Sequence, residues 1–331
     1  FKSGIGGARY HNDEHAFILY LRGVPVTLDG GFGWSTYKGS LHSTVTFDGN
    51  DYFMPRGDLA RFVTLEGADL AVGRMPPSAP HFSRFDRHIL FVKNDYLLIR
   101  DDIQSQQATA WHLPMAVKDI ELGKGQAVGR GRLGLDFLVR FLLPGQPPEL
   151  DVIGAVVPGH RTLRARRKIG GPCYALVVPK SDGEKWPQIS PVGQAVVRVD
   201  SGNASDWIVL TPFTTTVEHE DFRFEGRCGV ARLRNDGSTS LALLDGKQIG
   251  LGTFRVASAR AAVEAIRSKD GTIRGTTFGE GGEVLIFPGD AKALRQLTVK
   301  IENKKVSANR EGDAVRFKVG PGRLQFQIVG E

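Results

Sequence analysis

The stretch HILFVKNDYLLIRDD, residues 88–102, indicates the fold class of this 331-residue chain. Two apolar runs, ILFV and YLLI, stand on either side of Lys93-Asn94-Asp95, and asparagine and aspartate both favour tight turns. Short apolar runs divided by a turn predict two antiparallel strands joined as a hairpin. We therefore expect the chain to build antiparallel β-structure outward from this point.

Strand patterns of the same kind extend in both directions along the chain. Upstream, FILYL (17–21) and VPVTL (24–28) are apolar runs separated by the turn pair Arg22-Gly23. The next segment, HSTVTFDGNDYF (42–53), contains a turn of its own. The series continues downstream with CYALVVP (173–179), QAVVRVD (194–200), DWIVLTPF (206–213), GVARLRNDGSTSLALLDG (229–246) and RLQFQIVG (323–330).

The rhythm of short strands and Gly, Asn, Asp and Pro turns predicts an all-β protein. A chain of 331 residues exceeds the size at which one core usually serves, so we expect two domains. A large antiparallel β-sandwich is predicted over residues 1–218 and a smaller C-terminal β-domain over 219–331. The boundary is set at TTTVEHEDF (214–222), which interrupts the strand rhythm.

Two segments carry helical patterns. SARAAVEAIRSKDG (258–271) is compatible with an amphipathic helix and equally with a hairpin that turns at Lys269-Asp270-Gly271. AKALRQL (291–297) is the better candidate for a short helix.

Composition and charge limit the partners of the chain. No apolar run approaches the ~18 residues of a membrane span, so no membrane partner is expected. The net charge of +7 and pI of about 9.4 favour acidic partners, including acidic polysaccharides. The densest basic cluster, RTLRARRK (161–168), fits a solvated strand or loop, and no nucleic-acid module accompanies it. We therefore expect no nucleic-acid partner.

Two further features bear on the origin of the chain. It opens on Phe1 without a methionine or an apolar signal region, so we expect a piece of a longer protein whose export signal lies elsewhere. Cys173 and Cys228 fit either one disulfide or two buried thiols.

Polar residues crowd the segment RYHNDEHAFILYLRGVPVTLDGG (9–31), where His11, Asp13, Glu14 and His15 precede the first predicted hairpin and Asp29 follows it. Pairing about Arg22-Gly23 sets Asp29 opposite Ala16, near the end where His11 enters.

His42 begins the next strand and is able to return to that same end. Two imidazoles and a carboxylate suit Zn²⁺ or another divalent transition metal. His15 is a rival ligand, but its two-residue spacing puts it on the face of Phe17 and Leu19. The spacing is equally compatible with polar groups that only cap a sheet edge.

Read together with LHSTVTFDG (41–49), this segment resembles the signature of the heparinase II/III-like family of polysaccharide lyases. The matching positions run in the family's order: a histidine, an aspartate, a phenylalanine, a second aspartate after a glycine, and a histidine that opens the next strand. In this chain they are His11, Asp13, Phe17, Asp29 and His42. The segments RHILFVKNDYLLIRDDI (87–103) and WHLP (111–114) resemble the strands that follow in the family.

The resemblance implies a β-sandwich that works with an N-terminal helical toroid domain. It implies β-elimination at a uronic acid of an acidic polysaccharide, and a periplasmic or secreted location. It also implies that His11, Asp29 and His42 bind the metal, commonly zinc. Asp13 would orient a ligand histidine by accepting a hydrogen bond from the ring nitrogen that does not bind the metal.

The chain departs from the family pattern in two ways. Arg9 stands where the family has a first histidine, and arginine stays protonated, so it cannot serve as an ordinary base. Arg9 is instead predicted to clamp the substrate carboxylate and stabilise the developing negative charge. The helical toroid, with its expected tyrosine, is missing from these residues, so the chain alone is expected to be inactive or nearly so.

The loop between Asp29 and His42 supplies further candidates. Trp34 and Tyr37 are predicted to stack on a sugar ring, and Lys38 to meet a carboxylate. Ordinary loop packing explains them as well. Two functions follow for the chain: the β-sandwich part of a metal-containing lyase, or a non-catalytic β-module that binds acidic glycans or has a structural role.

Overall fold

The computed structural model describes residues 1, 13–28, 38–49, 55–142, 147–154, 159–289 and 297–330. The chain divides into two compact units, one formed by Phe1–Phe62 and Ala71–Trp186, the other by Val63–Leu70 and Pro187–Glu331. The predicted boundary between residues 218 and 219 falls near the end of the strand Ala204–His219, in the second unit. That boundary stays a prediction.

The first fourteen strands form two antiparallel sheets. They are β1 (Leu19–Leu21), β2 (Val24–Thr27), β3 (Val45–Phe47), β4 (Asp58–Thr64), β5 (Ala68–Met75), β6 (Arg84–Val92), β7 (Tyr96–Gln104), β8 (Thr109–Met115), β9 (Val117–Gly123), β10 (Gln126–Gly131), β11 (Leu135–Phe141), β12 (Glu149–Gly154), β13 (Arg161–Arg167) and β14 (Cys173–Ser181). Within the described ranges, the first sheet has the order β1-β2-β8-β13-β12, with β3 also paired to β8. The second has the order β4-β5-β6-β7-β14-β11-β10-β9.

The two sheets share one hydrophobic core. Trp111 and Leu113 of β8 belong to the same buried cluster as Phe85 of β6, Ile99 of β7 and Phe137 of β11. Alternate side chains of a strand point to opposite faces, so each sheet contributes every second residue to this shared layer. This arrangement is a β-sandwich.

The hairpin predicted from residues 88–102 is confirmed. Strands β6 and β7 pair without interruption from Arg84–Gln104 to Val92–Tyr96. Asn94 has a φ of 66°, in the left-handed region that asparagine tolerates. The turn residues therefore carry the structure that their sequence indicates.

The first hairpin turns at Arg22 and Gly23, where φ is 52° and 76°. Two successive positive φ values are the geometry that matches the twist of paired strands. The turn was predicted at this pair, and the structure agrees.

A β-bulge changes the register of the β1–β2 pair beyond the Arg22-Gly23 turn. Tyr20 pairs with Pro25, but Leu19 pairs with Thr27, so Val26 is an extra residue on β2. The Thr27 hydroxyl fills the gap in the ladder: it accepts from the Leu19 N–H at 3.0 Å and donates to the Phe17 carbonyl at 3.3 Å.

The expected pairing of Asp29 with Ala16 assumed an unbroken register, which the structure does not have. Asp29 itself lies outside the described residues.

The second unit is built from β15 (Gln188–Val192), β16 (Val196–Asp200), β17 (Ala204–His219), β18 (Phe222–Arg234), β19 (Thr239–Leu251), β20 (Phe254–Ser258), β21 (Ala262–Arg267), β22 (Ile273–Phe278), β23 (Gly282–Phe287), β24 (Leu297–Ile301), β25 (Lys304–Val306), β26 (Ala308–Glu311), β27 (Ala314–Val319) and β28 (Leu324–Gly330). All strand pairs in it are antiparallel, and β17, β18 and β19 are the long central strands. Trp207 of β17 and Phe317 of β27 lie in one core cluster, so distant strands of the sheet enclose a common interior.

The all-β prediction is confirmed. A single 3-10 turn, Gly39–Leu41, is the only helical element among the residues described. Residues 258–271 form the hairpin alternative, since β21 and β22 pair across the turn at Gly271. The helix predicted at 291–297 falls almost entirely outside the described residues. No described helix has the length and apolarity needed to cross a membrane.

Two ambiguous features of the sequence are resolved. The basic cluster at 161–168 is strand β13, in which Arg164 forms two hydrogen bonds of 2.8 and 2.5 Å with Asp151 of β12. Cys173 and Cys228 are buried thiols and form no disulfide.

Candidate functional site

Three of the predicted site residues lie in the described part of the chain: Asp13, Lys38 and His42. The other five fall outside it: Arg9, His11, Asp29, Trp34 and Tyr37. The ligand set and the sugar contacts therefore stay predictions, and the structure bears on them through the segments beside them.

Asp13 lies in a buried turn that leads into β1. The Ala16 N–H donates to the Asp13 carbonyl at 2.9 Å, and His15 has a φ of 61°, which is uncommon for a residue with a side chain. Asp13, Glu14 and His15 are all buried. Three consecutive buried polar residues are unusual, because charged side chains mostly stay in water.

His42 closes the single 3-10 turn. Its N–H donates to the Gly39 carbonyl at 3.1 Å, and its side chain is only 1% exposed. Lys38 stands at the start of the same turn and is exposed, as a residue that meets a solvent-borne ligand needs to be. The chain then passes through Ser43 and Thr44 into β3.

These two segments contact each other directly. The Thr44 hydroxyl donates to the Glu14 carbonyl at 2.7 Å. Arg87 lies against both segments and donates to the carbonyls of His15 and Ser43. The structure therefore places the turn of residues 13–16 next to the segment that begins with His42.

His15, the rival ligand, packs as a core residue. Its ring lies edge-on to Phe85, with 4.9 Å between ring centroids, and Phe85 shares a core cluster with Phe17 and Leu19. Both ring nitrogens are buried and have no hydrogen-bond partner within the described part of the chain. Burial first, and then the positive charge of Arg87, hold the pKa of His15 well below its usual value, so the ring is neutral at physiological pH.

His112 is a second buried imidazole near the His42 segment. Its ring Nε2 lies 3.0 Å from the Thr46 hydroxyl, and its main-chain N–H donates to the Thr44 carbonyl at 2.9 Å. Burial, assisted by the positive charge of Arg164, lowers the pKa of His112 to about 3. A group with this pKa is not a proton carrier at neutral pH, so His112 has a structural role here.

Sequence reasoning missed Arg87 and Asp101, which pair across β6 and β7. Both side chains are fully buried, and two hydrogen bonds of 2.6 Å join them. A signal was available: in the register set by Lys93-Asn94-Asp95 the two residues stand opposite each other, at inward positions otherwise taken by Phe85 and Ile99. A charged pair at two core positions stands out in a sequence, because charged residues are rarely fully buried unless they are paired.

No three His, Cys, Asp or Glu side chains gather closely enough to hold a metal ion among the residues that the structure describes. Two of the three predicted ligands lie outside that set, so the finding does not bear on the predicted trio.

Comparison with known proteins gives similarity at the level of structure. No protein-family model matches the chain, and no curated protein matches it in sequence. The chain is similar to the crystal structure of heparan sulfate lyase HepC from Pedobacter heparinus, with 18% identity and a TM-score of 0.48 over 72% of this chain and 37% of that chain.

It is also similar to the Heparinase III-BT4657 gene product, with 14% identity and a TM-score of 0.49 over 72% of this chain and 37% of that chain. A third similar structure is that of Heparinase III, with 12% identity and a TM-score of 0.43 over 70% of this chain. The chain corresponds to little more than a third of the length of these proteins.

Proposed function

We propose that this chain is the β-sandwich part of a metal-containing lyase that cleaves uronic-acid polysaccharides by β-elimination, completed by a helical domain beyond the chain. The proposal includes a periplasmic or secreted location, where such polymers are met. The observation that carries it is the contact between the Asp13–His15 turn and the segment that begins with His42. These two segments hold Asp13 and His42, two of the four matched motif positions that bear histidine or aspartate.

The donor chemistry fits a metal such as Zn²⁺. His11, Asp29 and His42 offer two imidazoles and one carboxylate, a set that transition metals prefer and that Ca²⁺ and Mg²⁺ do not. His42 is buried, so its position is fixed by packing before any ion binds. A bound ion would add positive charge close to the substrate carboxylate and tie the three segments together.

The chain's own residues have roles in substrate binding. Arg9 is proposed to form a bidentate pair with the uronate carboxylate, which lowers the cost of the negative charge that develops when the C5 proton leaves. Trp34 and Tyr37 are proposed to stack on sugar rings, and the exposed Lys38 to pair with a second carboxylate. The net charge of +7 favours approach of such a polymer.

The reaction balances without an added oxidant or reductant. A base removes the proton from C5, the electron pair forms the C4–C5 double bond, and the C4–O bond to the next sugar breaks. The departing oxygen takes up a proton. The base and the acid are assigned to the helical domain, because Arg9 stays charged at any working pH.

The lyase activity is tested on the complete protein. Incubation with a panel of uronate polysaccharides should raise the ultraviolet absorbance near 235 nm, which reports the unsaturated product. An absence of this rise with every polymer contradicts the lyase proposal. Binding of the same polymers without product would favour the non-catalytic glycan-binding alternative.

The metal assignment is tested by elemental analysis of purified variants. His11→Ala and His42→Ala should each hold markedly less metal than the wild type. His219→Ala is the matched control, because this histidine is exposed and lies in the second unit. Equal metal content in His42→Ala and the wild type would remove His42 from the site.

A further inference from the structure

We propose that Arg87, held in place by Asp101, is the positioning residue of the candidate site. It fixes the turn of residues 13–15 against the segment of residues 42–44. The effect of Arg87 on metal binding rests on the proposed function, whereas the positioning of the two segments rests on contacts seen in the structure.

The guanidinium of Arg87 is fixed from every side. Its Nε and Nη2 donate to the two carboxylate oxygens of Asp101, each at 2.6 Å. The rings of Phe17 and Phe85 each lie 5.8 Å from its central carbon. Because neither Arg87 nor Asp101 is exposed to water, the pair has few alternative conformations.

The remaining nitrogen of this guanidinium joins the two site segments. Nη1 donates to the His15 carbonyl at 2.6 Å and to the Ser43 carbonyl at 2.5 Å. These carbonyls belong to residues far apart in sequence, and both contacts come from one atom. A single planar group therefore fixes the two segments against each other, beside the hydrogen bond from the Thr44 hydroxyl to the Glu14 carbonyl.

The His15 backbone gives an independent reason for the contact. A φ of 61° is costly for a histidine and persists only where surrounding contacts enforce it. The Arg87 hydrogen bond to the His15 carbonyl is such a contact. Without it, we expect the turn to relax toward ordinary φ values and to shift the residues that precede it.

A buried pair can be removed without leaving an isolated charge. The double variant Arg87→Met/Asp101→Leu replaces both members with apolar side chains, a change that many folds tolerate. Arg232→Met/Asp206→Leu is the matched control, because that pair also forms two hydrogen bonds across antiparallel strands, both at 2.7 Å, and lies in the second unit. Asp101→Asn is the milder variant to use if the double variant does not fold.

Three readouts separate positioning from general stability. Hydrogen exchange of the Ala16 and Thr44 amides reports the two segments, because these amides donate to the carbonyls of Asp13 and His42. Zinc affinity is measured by chelator competition with zinc alone, and the visible absorption of bound Co²⁺ reports coordination geometry. The double variant, which lacks the Arg87 contacts, should exchange faster at both amides, bind zinc about 10-fold more weakly or worse, and show an altered Co²⁺ spectrum. Asp101→Asn, which weakens only the hold on the guanidinium, should change each readout in the same direction and by less.

Each outcome decides one of the proposals. Unchanged exchange at Ala16 and Thr44 in the Arg87 variant overturns the positioning role, whatever happens to zinc. Faster exchange with unchanged zinc affinity and spectrum limits the role to the fold and overturns its link to the metal. A wild-type protein that binds no zinc overturns the metal part of the proposed function, and the exchange data still decide the positioning role. The control variant should match the wild type in all three readouts.

Discussion

The side-chain hydroxyl of Thr44 donates a 2.7 Å hydrogen bond to the main-chain carbonyl of Glu14, 30 residues earlier in the chain. Both groups are buried, so neither has water as an alternative partner. The bond links the turn before β1, which contains Asp13, to the segment before β3, which begins with His42.

Replacement of Thr44 by valine should destabilise the protein by about 1–3 kcal/mol, because the Glu14 carbonyl would stay buried without this donor. Thr44→Ser keeps the hydroxyl and should lose less. Chemical denaturation of the three proteins measures the difference. Equal stability of Thr44→Val and the wild type would show that the bond contributes nothing.

Gly73 has no room for a side chain beside His15. A Cβ at this position would lie 2.7 Å from His15 Nε2 and 2.7 Å from Phe1 Cζ. Gly73→Ala should therefore displace the His15 ring and destabilise the protein by about 1–3 kcal/mol, as overpacking does. Gly202→Ala is the control, since a Cβ there meets nothing within 4 Å. Thermal unfolding compares the two variants, and equal melting temperatures would contradict the tight packing around His15.

Acid should weaken the protein through His112. The pKa of this imidazole is about 3 in the folded protein and about 6.5 when unfolded, so only the unfolded state takes up a proton between these values. The stability is fully present above pH 6.5 and falls as the pH drops, by about 2 kcal/mol at pH 5. His15 contributes with the same sign.

Urea midpoints at pH 7 and pH 5 measure this loss. His112→Gln should show a smaller loss than the wild type, whereas His219→Gln, at an exposed position, should behave as the wild type does. The same pH dependence in all three proteins would exclude His112 as the cause.

Glu264 should act in the opposite direction. It is buried, it accepts a 2.8 Å hydrogen bond from the Gly67 N–H, and burial raises the pKa of its carboxyl group. Above pH 4.5 the unfolded state loses this proton, while the folded state retains it until the pH reaches the raised pKa. The free energy of unfolding therefore decreases as the pH rises from 4.5 toward that pKa. Glu264→Gln removes this ionisation.

The measurement is the melting temperature of the variant relative to the wild type at pH 4.5 and at pH 7.5. The melting temperature of Glu264→Gln relative to that of the wild type should be higher at pH 7.5 than at pH 4.5. Glu225→Gln is the control, because Glu225 forms a surface ion pair of 2.6 Å with Lys247. A difference that does not change with pH would contradict a raised pKa at Glu264.

Local turn chemistry made much of the fold predictable. Gly23 and Asn94 have positive φ values that their residue types tolerate, so the turns of both hairpins follow from short stretches of sequence. For residues 258–271 the apolar spacing fits a hairpin and a helix equally, so the sequence does not choose between them. The hairpin forms because β21 and β22 pair through contacts that local spacing does not contain.

The candidate site was harder to predict, because its geometry depends on contacts between distant segments. The bulge at Val26 shifts the register by one residue and is stabilised by the Thr27 side chain, which no two-residue alternation reveals. The role of Arg87 depends on carbonyl groups of His15 and Ser43, and every residue has a carbonyl, so the sequence carries no mark of these partners. Only the Arg87–Asp101 pairing was open to prediction from the hairpin register.

The two buried thiols allow the unfolding of this molecule to be followed unit by unit. Of the two cysteines in the chain, Cys173 lies in the first unit and Cys228 in the second, and burial raises the pKa of Cys173 to about 12. A buried, protonated thiol reacts with alkylating reagents only when its surroundings open. Each unit thus contains one natural reporter, and the order in which the two are labelled would reveal whether the units open together or one after the other.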